Sequence, residues 1–343
     1  MKRKIKTFFR SIKKRKQLKA VLRADISSLQ KSIEQALIKT LDVQGVIQSR
    51  YHDPGGLNNL GMFIHNLEYQ EEPFAISKLQ NSVTARREYR FQSWQESYLD
   101  NRLAAKAFLL APFRDENYSW VTGEVLYPVN SFSDLEIKTI FDKLNVSNEK
   151  LKELSIDRCV ESLIDELEDN TKIKSVLLNL VSQIETENAE KFVKKYLKER
   201  ESLLVCSPVL YQRLETLFSI YFSSFSKADL SFMYGLVHGD FKKQNIMADE
   251  KGNYKVIDLQ YFTYGIRIWD LAFYYSKDSR EFGEIYPELL QNFSWGKIER
   301  ETFIVFYAIA SILHIKKKNF HKIISLKLNP AMNYLSVSFK VQE

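Results

Sequence analysis

The stretch that decides the fold is LVHGDFKKQNIM, which runs from Leu236 to Met247. It places His238, Asp240 and Asn245 in the order H-x-D-x-x-x-x-N. Farther along the chain, the apolar run KVID ends in Asp258. One short region therefore carries two carboxylates and one amide at fixed spacing, a set of groups suited to proton transfer and to binding a hard cation.

A β-hairpin is predicted between Asn245 and Asp258. The letters NIMA form a short apolar run, DEKGN holds turn residues including Gly252, and YKVID returns as a second apolar run. Two such runs on either side of a glycine-containing turn are typical of a hairpin. The hairpin is expected to bring Asn245 and Asp258 to the same end of one site.

This arrangement resembles the catalytic loop and metal-binding aspartate of kinase-type phosphotransferases. Asp240 is the candidate catalytic residue, because a carboxylate beside an attacking hydroxyl can orient it and accept its proton. Asn245 and Asp258 are the candidate metal ligands, since magnesium prefers oxygen donors. ATP and Mg²⁺ are the expected cofactors. The competing interpretation is that these are ordinary turn and strand-end residues. It is disfavoured because the loop motif, the hairpin and the strand that ends in Asp258 all occur in order. His238 is expected to pack within the loop.

Candidate nucleotide-binding residues lie upstream, between predicted strands. In DPGGLNNLG, Gly55 and Gly56 allow the backbone to approach phosphates closely because they have no Cβ. A plain hairpin turn is the alternative. The alternating run FAISKL predicts a strand that carries Lys78. This lysine would reach the α- and β-phosphates, or else be a solvated lysine on an edge strand.

A predicted helix at residues 84–94 follows this strand and carries a candidate acidic partner for Lys78. Glu88 lies on the helix, and Glu96 is its rival for the same role. The plainer alternative for Glu88 is a surface partner in an i,i+4 pair.

Residues 118–128 predict a buried strand that leads into a linker. In a kinase-type protein the nucleotide base would lie at this point. Backbone groups of Glu124 and Val125 are therefore the candidate contacts to adenine.

The chain resembles the aminoglycoside phosphotransferase and choline kinase superfamily, from about Val46 to Tyr275. PGGLNN is similar to the choline-kinase nucleotide loop, which implies phosphate binding by Gly55, Gly56 and Asn58. EYRFQSW is similar to the family helix and favours Glu88 as the partner of the lysine. HGDFKKQN is similar to the aminoglycoside-kinase form of the catalytic loop.

The tract IDLQYFTYGIRIWDLAFYY also resembles the family's metal-aspartate block. The resemblance implies that Asp270 is a structural acid that braces the catalytic loop. Gln260 stands where choline kinases usually carry Glu, and this difference weighs against choline itself as the acceptor.

The resemblance implies an α+β, two-lobed protein-kinase-like fold, with a small antiparallel-sheet N-lobe and a larger, mostly helical C-lobe. We expect a basic tail at residues 1–24, a nucleotide-binding lobe at 25–126 and a catalytic and substrate lobe at 127–343. A capping-box pattern predicts a helix start at Ser133. Residues 157–169 carry six acids and one base, which would attract a cationic acceptor or form a solvated helix face.

The formal net charge of +7 is concentrated at the N-terminus. Residues 1–23 hold eleven Lys or Arg and no acid, so the remainder has 39 basic against 43 acidic residues. Nucleic acid is therefore not an expected partner of the body. The tail is interpreted as an amphipathic helix on an anionic membrane surface or as a solvated basic tail, and binding of nucleic acid is a third, less favoured interpretation.

The expected activity is transfer of the γ-phosphate of ATP to a hydroxyl of a small molecule: an amino alcohol, an aminoglycoside or a sugar. Two alternatives are a catalytically silent kinase-like scaffold, and a membrane-peripheral kinase of a surface-glycan or lipid-linked sugar. Two cysteines without metal or disulfide spacing fit a reducing compartment, so we expect a cytoplasmic protein, peripheral to the membrane if the tail binds lipid.

Overall fold

The computed structural model describes residues 26–52, 61–98, 103–113, 118–153, 207–225, 227–259, 263–315 and 317–340. These divide into two compact units. The first comprises the described residues within Met1–Tyr127 and Ala248–Gln260, and the second those within Pro128–Met247 and Tyr261–Glu343. The basic tail and both interpretations of it lie outside the described residues.

The first unit is built on a five-stranded sheet. Its strands are β1 (Ile47–His52), β2 (Gly61–Leu67), β3 (Pro73–Asn81), β4 (Ala107–Phe113) and β5 (Tyr118–Glu124). They lie in the order β1-β2-β3-β5-β4, and every neighbouring pair is antiparallel. Strand β3 is therefore central, which excludes the edge-strand interpretation of the lysine that it carries.

Helix α1, residues 26–41, packs on the sheet. Its buried Ile33 and Leu37 lie four residues apart and so share one face of the helix. They join Phe63, Leu79 and Trp120 in a single hydrophobic core. Burial of these side chains is the main stabilising contribution to the unit.

Helix α2 (Ser82–Tyr98) follows β3 directly. The side chain of Asn81 accepts a hydrogen bond from the backbone N–H of Val83 at 3.0 Å. Such a bond satisfies a donor that the first helical turn leaves without a partner. The Asn81 side chain thereby stabilises the start of a helix that follows the strand directly.

The predicted hairpin is confirmed by strands β8 (Ile246–Ala248) and β9 (Tyr254–Val256). The Asp249 carboxylate accepts hydrogen bonds from the backbone N–H groups of Lys251 at 2.9 Å and Asn253 at 2.8 Å. With β6 (Tyr127–Pro128), the two strands form a sheet in the order β6-β8-β9.

The second unit is mostly helical. Its described helices are α3 (Asp134–Glu153), α4 (Pro208–Ser224), α5 (Lys227–Leu230), α6 (Ile268–Ser276), α7 (Phe282–Asn292), α8 (Lys297–Leu313), α9 (Phe320–Ile323) and α10 (Asn329–Phe339). Between α9 and α10 runs a π-helical segment, Ile324–Leu328. Strands β7 (Tyr234–Val237) and β10 (Thr263–Ile266) form an antiparallel pair.

The core of this unit surrounds α8, whose residues from Glu301 to Ile312 are all buried. Aromatic rings from α7 pack against it: the centroid of Phe282 lies 4.9 Å from that of Tyr307 and 5.1 Å from that of Tyr286. These rings contact one another, so core packing accounts for them. No helix among the described residues has the length and apolarity that a bilayer crossing requires.

The capping box at the start of α3 is confirmed. The Ser133 side chain accepts from the backbone N–H of Glu136 at 3.2 Å, and the Glu136 carboxylate accepts from the Ser133 N–H at 2.7 Å. Together, the antiparallel-sheet unit and the mostly helical unit confirm the predicted α+β class.

Candidate active site

The loop that carries Asp240 begins where β7 ends and belongs to the helical unit. The buried carboxylate of Asp270, on α6, accepts hydrogen bonds from the backbone N–H groups of His238 at 2.7 Å and Gly239 at 2.9 Å. Gly239 has a φ of +81°, a left-handed conformation that glycine adopts without steric cost. The bracing role implied for Asp270 is confirmed by these two contacts.

Burial shifts the ionisation of Asp270. The side chain is completely buried, and this burial raises its pKa from 3.8 to about 7. The two backbone donors, from His238 and Gly239, oppose that shift, whereas the negative charge of Asp240 adds to it. The Asp270 carboxylate on α6 and the Asp240 carboxylate of the loop thus lie close together. The first is bound to backbone and completely buried, and the second has about a tenth of its side chain exposed.

The Asp240 carboxylate has two cationic neighbours and one amide neighbour. Lys242, two residues later, forms an ion pair with one oxygen, and the Lys277 ammonium lies 3.6 Å from the other. The Asn245 amide nitrogen donates to the carboxylate at 3.2 Å. Burial lowers the pKa of Lys277, and the charge of Asp240 opposes that change. The carboxylate is therefore held at a defined position beside two ammonium groups.

Asn245 ends a short 3₁₀ helix, Lys243–Asn245, and is buried. Its amide nitrogen also donates to the backbone carbonyl of Asp240 at 2.9 Å. This bond fixes the orientation of the amide, and its oxygen accepts no hydrogen bond from the described residues. A neutral, uncommitted oxygen of this kind is a suitable ligand for a hard cation.

Lys78 and Asp258 form an ion pair within the sheet unit. The Lys78 ammonium donates to the Asp258 carboxylate at 2.9 Å, although the residues are 180 positions apart in the chain. Burial alone would lower the pKa of Lys78, but the charges of Glu88 and Asp258 outweigh it, and the pKa is raised above 10.5. Asp258 has a φ of +64°, a left-handed conformation that non-glycine residues adopt uncommonly.

Glu88, on α2, is buried in the same unit. Its carboxylate accepts a hydrogen bond from the Gln80 amide at 2.7 Å. Burial raises the pKa of Glu88, against the opposing influence of the Lys78 charge. The acid is thus an interior group near the lysine and not a surface i,i+4 partner. Among the described side chains, the hydrogen-bonded partner of Lys78 is Asp258; the side chain of Glu96 lies outside them.

The predicted adenine segment lies at the end of β5. The backbone N–H of Glu124 donates to the carbonyl of Lys106 at 3.0 Å, and the Glu124 carboxylate accepts from the Lys106 N–H at 2.7 Å. A Cβ on Gly123 would lie 2.6 Å from the Lys106 carbonyl oxygen, so only glycine permits this close approach. Val125 follows the strand and is partly exposed.

Three predicted phosphate-binding residues, Gly55, Gly56 and Asn58, lie outside the described residues. The acidic segment 157–169 does so as well. Of the predicted nucleotide-binding residues, the structure therefore describes Lys78, Glu88, Glu124 and Val125, whereas the glycine loop remains a sequence prediction.

Lys242 and Lys277 are residues of this site that the sequence motifs did not predict. Lys242 lies inside the loop motif, so its proximity to Asp240 was available from the spacing. Lys277 follows α6, 37 positions after Asp240, and no local pattern connects the two. Only the tertiary packing of α6 against the loop places this ammonium beside the carboxylate.

The donor groups fit magnesium. Within the described part of the chain, no three His, Cys, Asp or Glu side chains are grouped to hold a metal. Magnesium does not require such a cage, because it is usually bound through one or two protein oxygens together with substrate phosphates and water. The oriented amide oxygen of Asn245 and the carboxylate of Asp258 are ligands of that type.

Comparison with models of protein families found a match over part of the chain. The model described as the phosphotransferase enzyme family (APH) matches residues 171–301, a span that includes Asp240, Asn245 and Asp258. This match confirms the resemblance that the sequence predicts. A search among curated proteins gave no match.

Several solved structures are similar at low sequence identity. A candidate aminoglycoside phosphotransferase of Ralstonia eutropha is 12% identical, with a TM-score of 0.49, and the alignment covers 91% of this chain and 99% of that one. An ethanolamine kinase of Plasmodium vivax is 15% identical, with a TM-score of 0.47 and coverage of 89% and 85%. The aminoglycoside phosphotransferase APH(4)-Ia, in complex with AMP-PNP and hygromycin B, is 11% identical, with a TM-score of 0.48 and coverage of 91% and 100%.

Proposed function

We propose that this protein is an ATP- and magnesium-dependent phosphotransferase that moves the γ-phosphate to a hydroxyl of a small molecule. One observation carries the proposal: Asp240 and Asn245 are held together in a loop whose backbone is fixed by the buried Asp270. Phosphoryl transfer needs positioned groups more than covalent chemistry, and such a loop positions them.

Asp240 is the proposed catalytic residue. Its carboxylate orients the acceptor hydroxyl and takes the proton as the oxygen attacks the γ-phosphorus. The neighbouring Lys242 neutralises charge that develops on the transferred group. Asn245 and Asp258 are the proposed magnesium ligands, and a magnesium ion would supply neutralisation of the β- and γ-phosphate charges.

The proposed nucleotide-binding lobe is residues 25–126, and the proposed catalytic and substrate lobe is residues 127–343. Lys78 binds the α- and β-phosphates, and its raised pKa keeps it cationic at neutral pH. Glu88 supplies the buried negative charge that favours this cation. The remaining proposed nucleotide contacts are Gly55, Gly56, Asn58, Glu124 and Val125.

The test is a comparison of Asp240→Asn with Asp42→Asn. The two substitutions are the same chemically, but Asp42 is exposed and lies in a turn after α1. ADP formation is measured with ATP, Mg²⁺ and a panel of amino alcohols, aminoglycosides, sugars and sugar acids. Loss of a general base lowers turnover by roughly 10²- to 10⁴-fold, so Asp240→Asn should lose activity while Asp42→Asn retains it.

A thermal-shift titration with ATP and Mg²⁺ accompanies the assay, because it separates loss of chemistry from loss of binding. Both variants should bind the nucleotide as the wild type does. Undiminished turnover by Asp240→Asn would remove the proposed role of this residue. Absence of nucleotide binding by the wild type would instead favour a catalytically silent protein.

A further inference from the structure

The helical unit contains a cavity of about 380 Å³. Its lining includes Lys242, Lys243 and Lys277, together with Tyr274 and Asp278. A cavity of this size accommodates a small organic molecule. Three of the nine residues that line the cavity are lysines and one is an acid, so the cavity differs in charge from a site built for an ammonium-bearing ligand.

Two lysines of the cavity lining also contact the proposed catalytic residue. Lys242 and Lys277 line the cavity, and each contacts a different oxygen of the Asp240 carboxylate. A molecule whose hydroxyl reaches Asp240 would therefore place the rest of its structure among these ammonium groups. Tyr274 supplies an aromatic face for the carbon skeleton of such a molecule.

The positive charge of the lining is not cancelled by the acid beside it. Asp278 is the acidic residue of the lining, and the Arg280 guanidinium donates to its carboxylate at 2.8 and 3.0 Å. Burial would raise the pKa of Asp278, but its bonds to Arg280 outweigh this and lower it. Lys243 contacts the carbonyl of Asn130, a neutral group. Lys242 and Lys277 share the single charge of Asp240.

We propose that the acceptor is an alcohol that carries an oxyanion, a carboxylate or a phosphate, bound by Lys243 and Lys277. The inference rests on the proposed phosphotransferase function and specifies the substrate class of the same site. In the reaction the acceptor hydroxyl gives its proton to Asp240, and its oxygen forms a bond to the γ-phosphorus. The bond from that phosphorus to the β–γ bridging oxygen breaks, and ADP leaves with the bond's electron pair.

The experiment uses four probes that share one pyranose ring: glucose, glucuronate, glucose 6-phosphate and glucosamine. Their binding to the full chain, with AMP-PNP and Mg²⁺ present, is measured by ligand-observed NMR. Glucuronate or glucose 6-phosphate should bind more tightly than glucose, and glucosamine more weakly. The relative affinity of the two anions distinguishes a carboxylate from a phosphate as the preferred group.

Variants Lys277→Gln and Lys243→Gln test the assignment to these side chains. Lys318→Gln is the matched control, because Lys318 is exposed and is not one of the residues that line the cavity. A charge-assisted hydrogen bond lost in each cavity variant should weaken anion binding by roughly 10- to 100-fold. Binding of neutral glucose should change little in all three variants, and anion binding should be unaffected in the control. Lys243→Gln keeps the test valid if Lys277→Gln fails to fold.

Three results would overturn the inference: glucosamine binds as tightly as the anions, the cavity variants bind the anions as the wild type does, or no probe binds. None of these touches the phosphotransferase proposal, which is tested separately by nucleotide binding and Asp240→Asn. Phosphorylation of a cationic acceptor with loss of activity in Asp240→Asn would refute the anionic substrate class and leave the phosphotransferase function in place.

Discussion

Replacement of Asp270 by Asn is the most informative change outside the groups proposed to touch substrate. In the folded chain the carboxylate is completely buried and accepts from the N–H groups of His238 and Gly239. The amide of the variant has the same shape but only one acceptor oxygen. One buried backbone donor would then lose its acceptor, at a cost of about 1–3 kcal/mol that does not depend on pH.

The pH-dependent part of the effect follows from the pKa of Asp270. Burial raises it from 3.8 to about 7, so the folded chain holds this proton over a range in which the unfolded chain has released it. The free energy of unfolding therefore falls as pH rises through this range, and the loss is complete above the folded pKa. Between about pH 5 and pH 8, this one group lowers the free energy of unfolding by about 2–3 kcal/mol.

Urea denaturation at a series of pH values between about 5 and 8 measures this pH-dependent contribution to the free energy of unfolding. The wild-type stability should decrease with pH relative to Asp270→Asn, which has no proton to release, so the difference between the two should shrink or reverse toward high pH. Asp42→Asn, an exposed change, should follow the wild type. Parallel stability profiles for wild type and Asp270→Asn would show that Asp270 ionises normally, and the argument from burial would be wrong.

Two other substitutions give expected outcomes. Lys78→Met removes the cation of the ion pair and should raise the KM for ATP by roughly 10- to 100-fold. The control Lys39→Met, on the exposed face of α1, should leave this KM unchanged. An unchanged KM for Lys78→Met in steady-state kinetics would contradict phosphate binding by Lys78. Gly123→Ala places a Cβ 2.6 Å from the Lys106 carbonyl oxygen and should destabilise the chain by about 1–3 kcal/mol. Gly283→Ala is the control, because a Cβ at this position would lie in open space. Equal Tm values for the two variants in thermal unfolding would rule out the close approach of Gly123 to the Lys106 carbonyl.

Features encoded by local sequence were predictable. The capping box at Ser133 and the hairpin turn at Asp249–Asn253 depend on side chains that bond to backbone a few residues away. Such interactions depend on residue types at short, fixed spacings in the sequence, so their prediction required no knowledge of the tertiary structure. The bond from Asn245 to the Asp240 carbonyl also links two members of one local motif, but it was not among the predictions.

Interactions between distant segments were less accessible. The sequence suggested Glu88 or Glu96 as the partner of Lys78, but the lysine donates to Asp258. Glu88 is bonded instead to Gln80, a neighbour across the junction of β3 and α2. No sequence pattern indicated Lys277, because its position beside Asp240 depends on the packing of α6. Propensity and spacing identify candidate groups, whereas tertiary packing decides which of them pair.

Asn245 and Asp258 are the proposed ligands of a divalent ion that binds the phosphates of ATP. The most direct test is a crystal structure of the wild type grown with AMP-PNP and Mn²⁺, in which the anomalous signal locates the metal. The account predicts a peak coordinated by the Asn245 amide oxygen, the Asp258 carboxylate and the β- and γ-phosphates. A metal bound elsewhere, with neither side chain among its ligands, would contradict it.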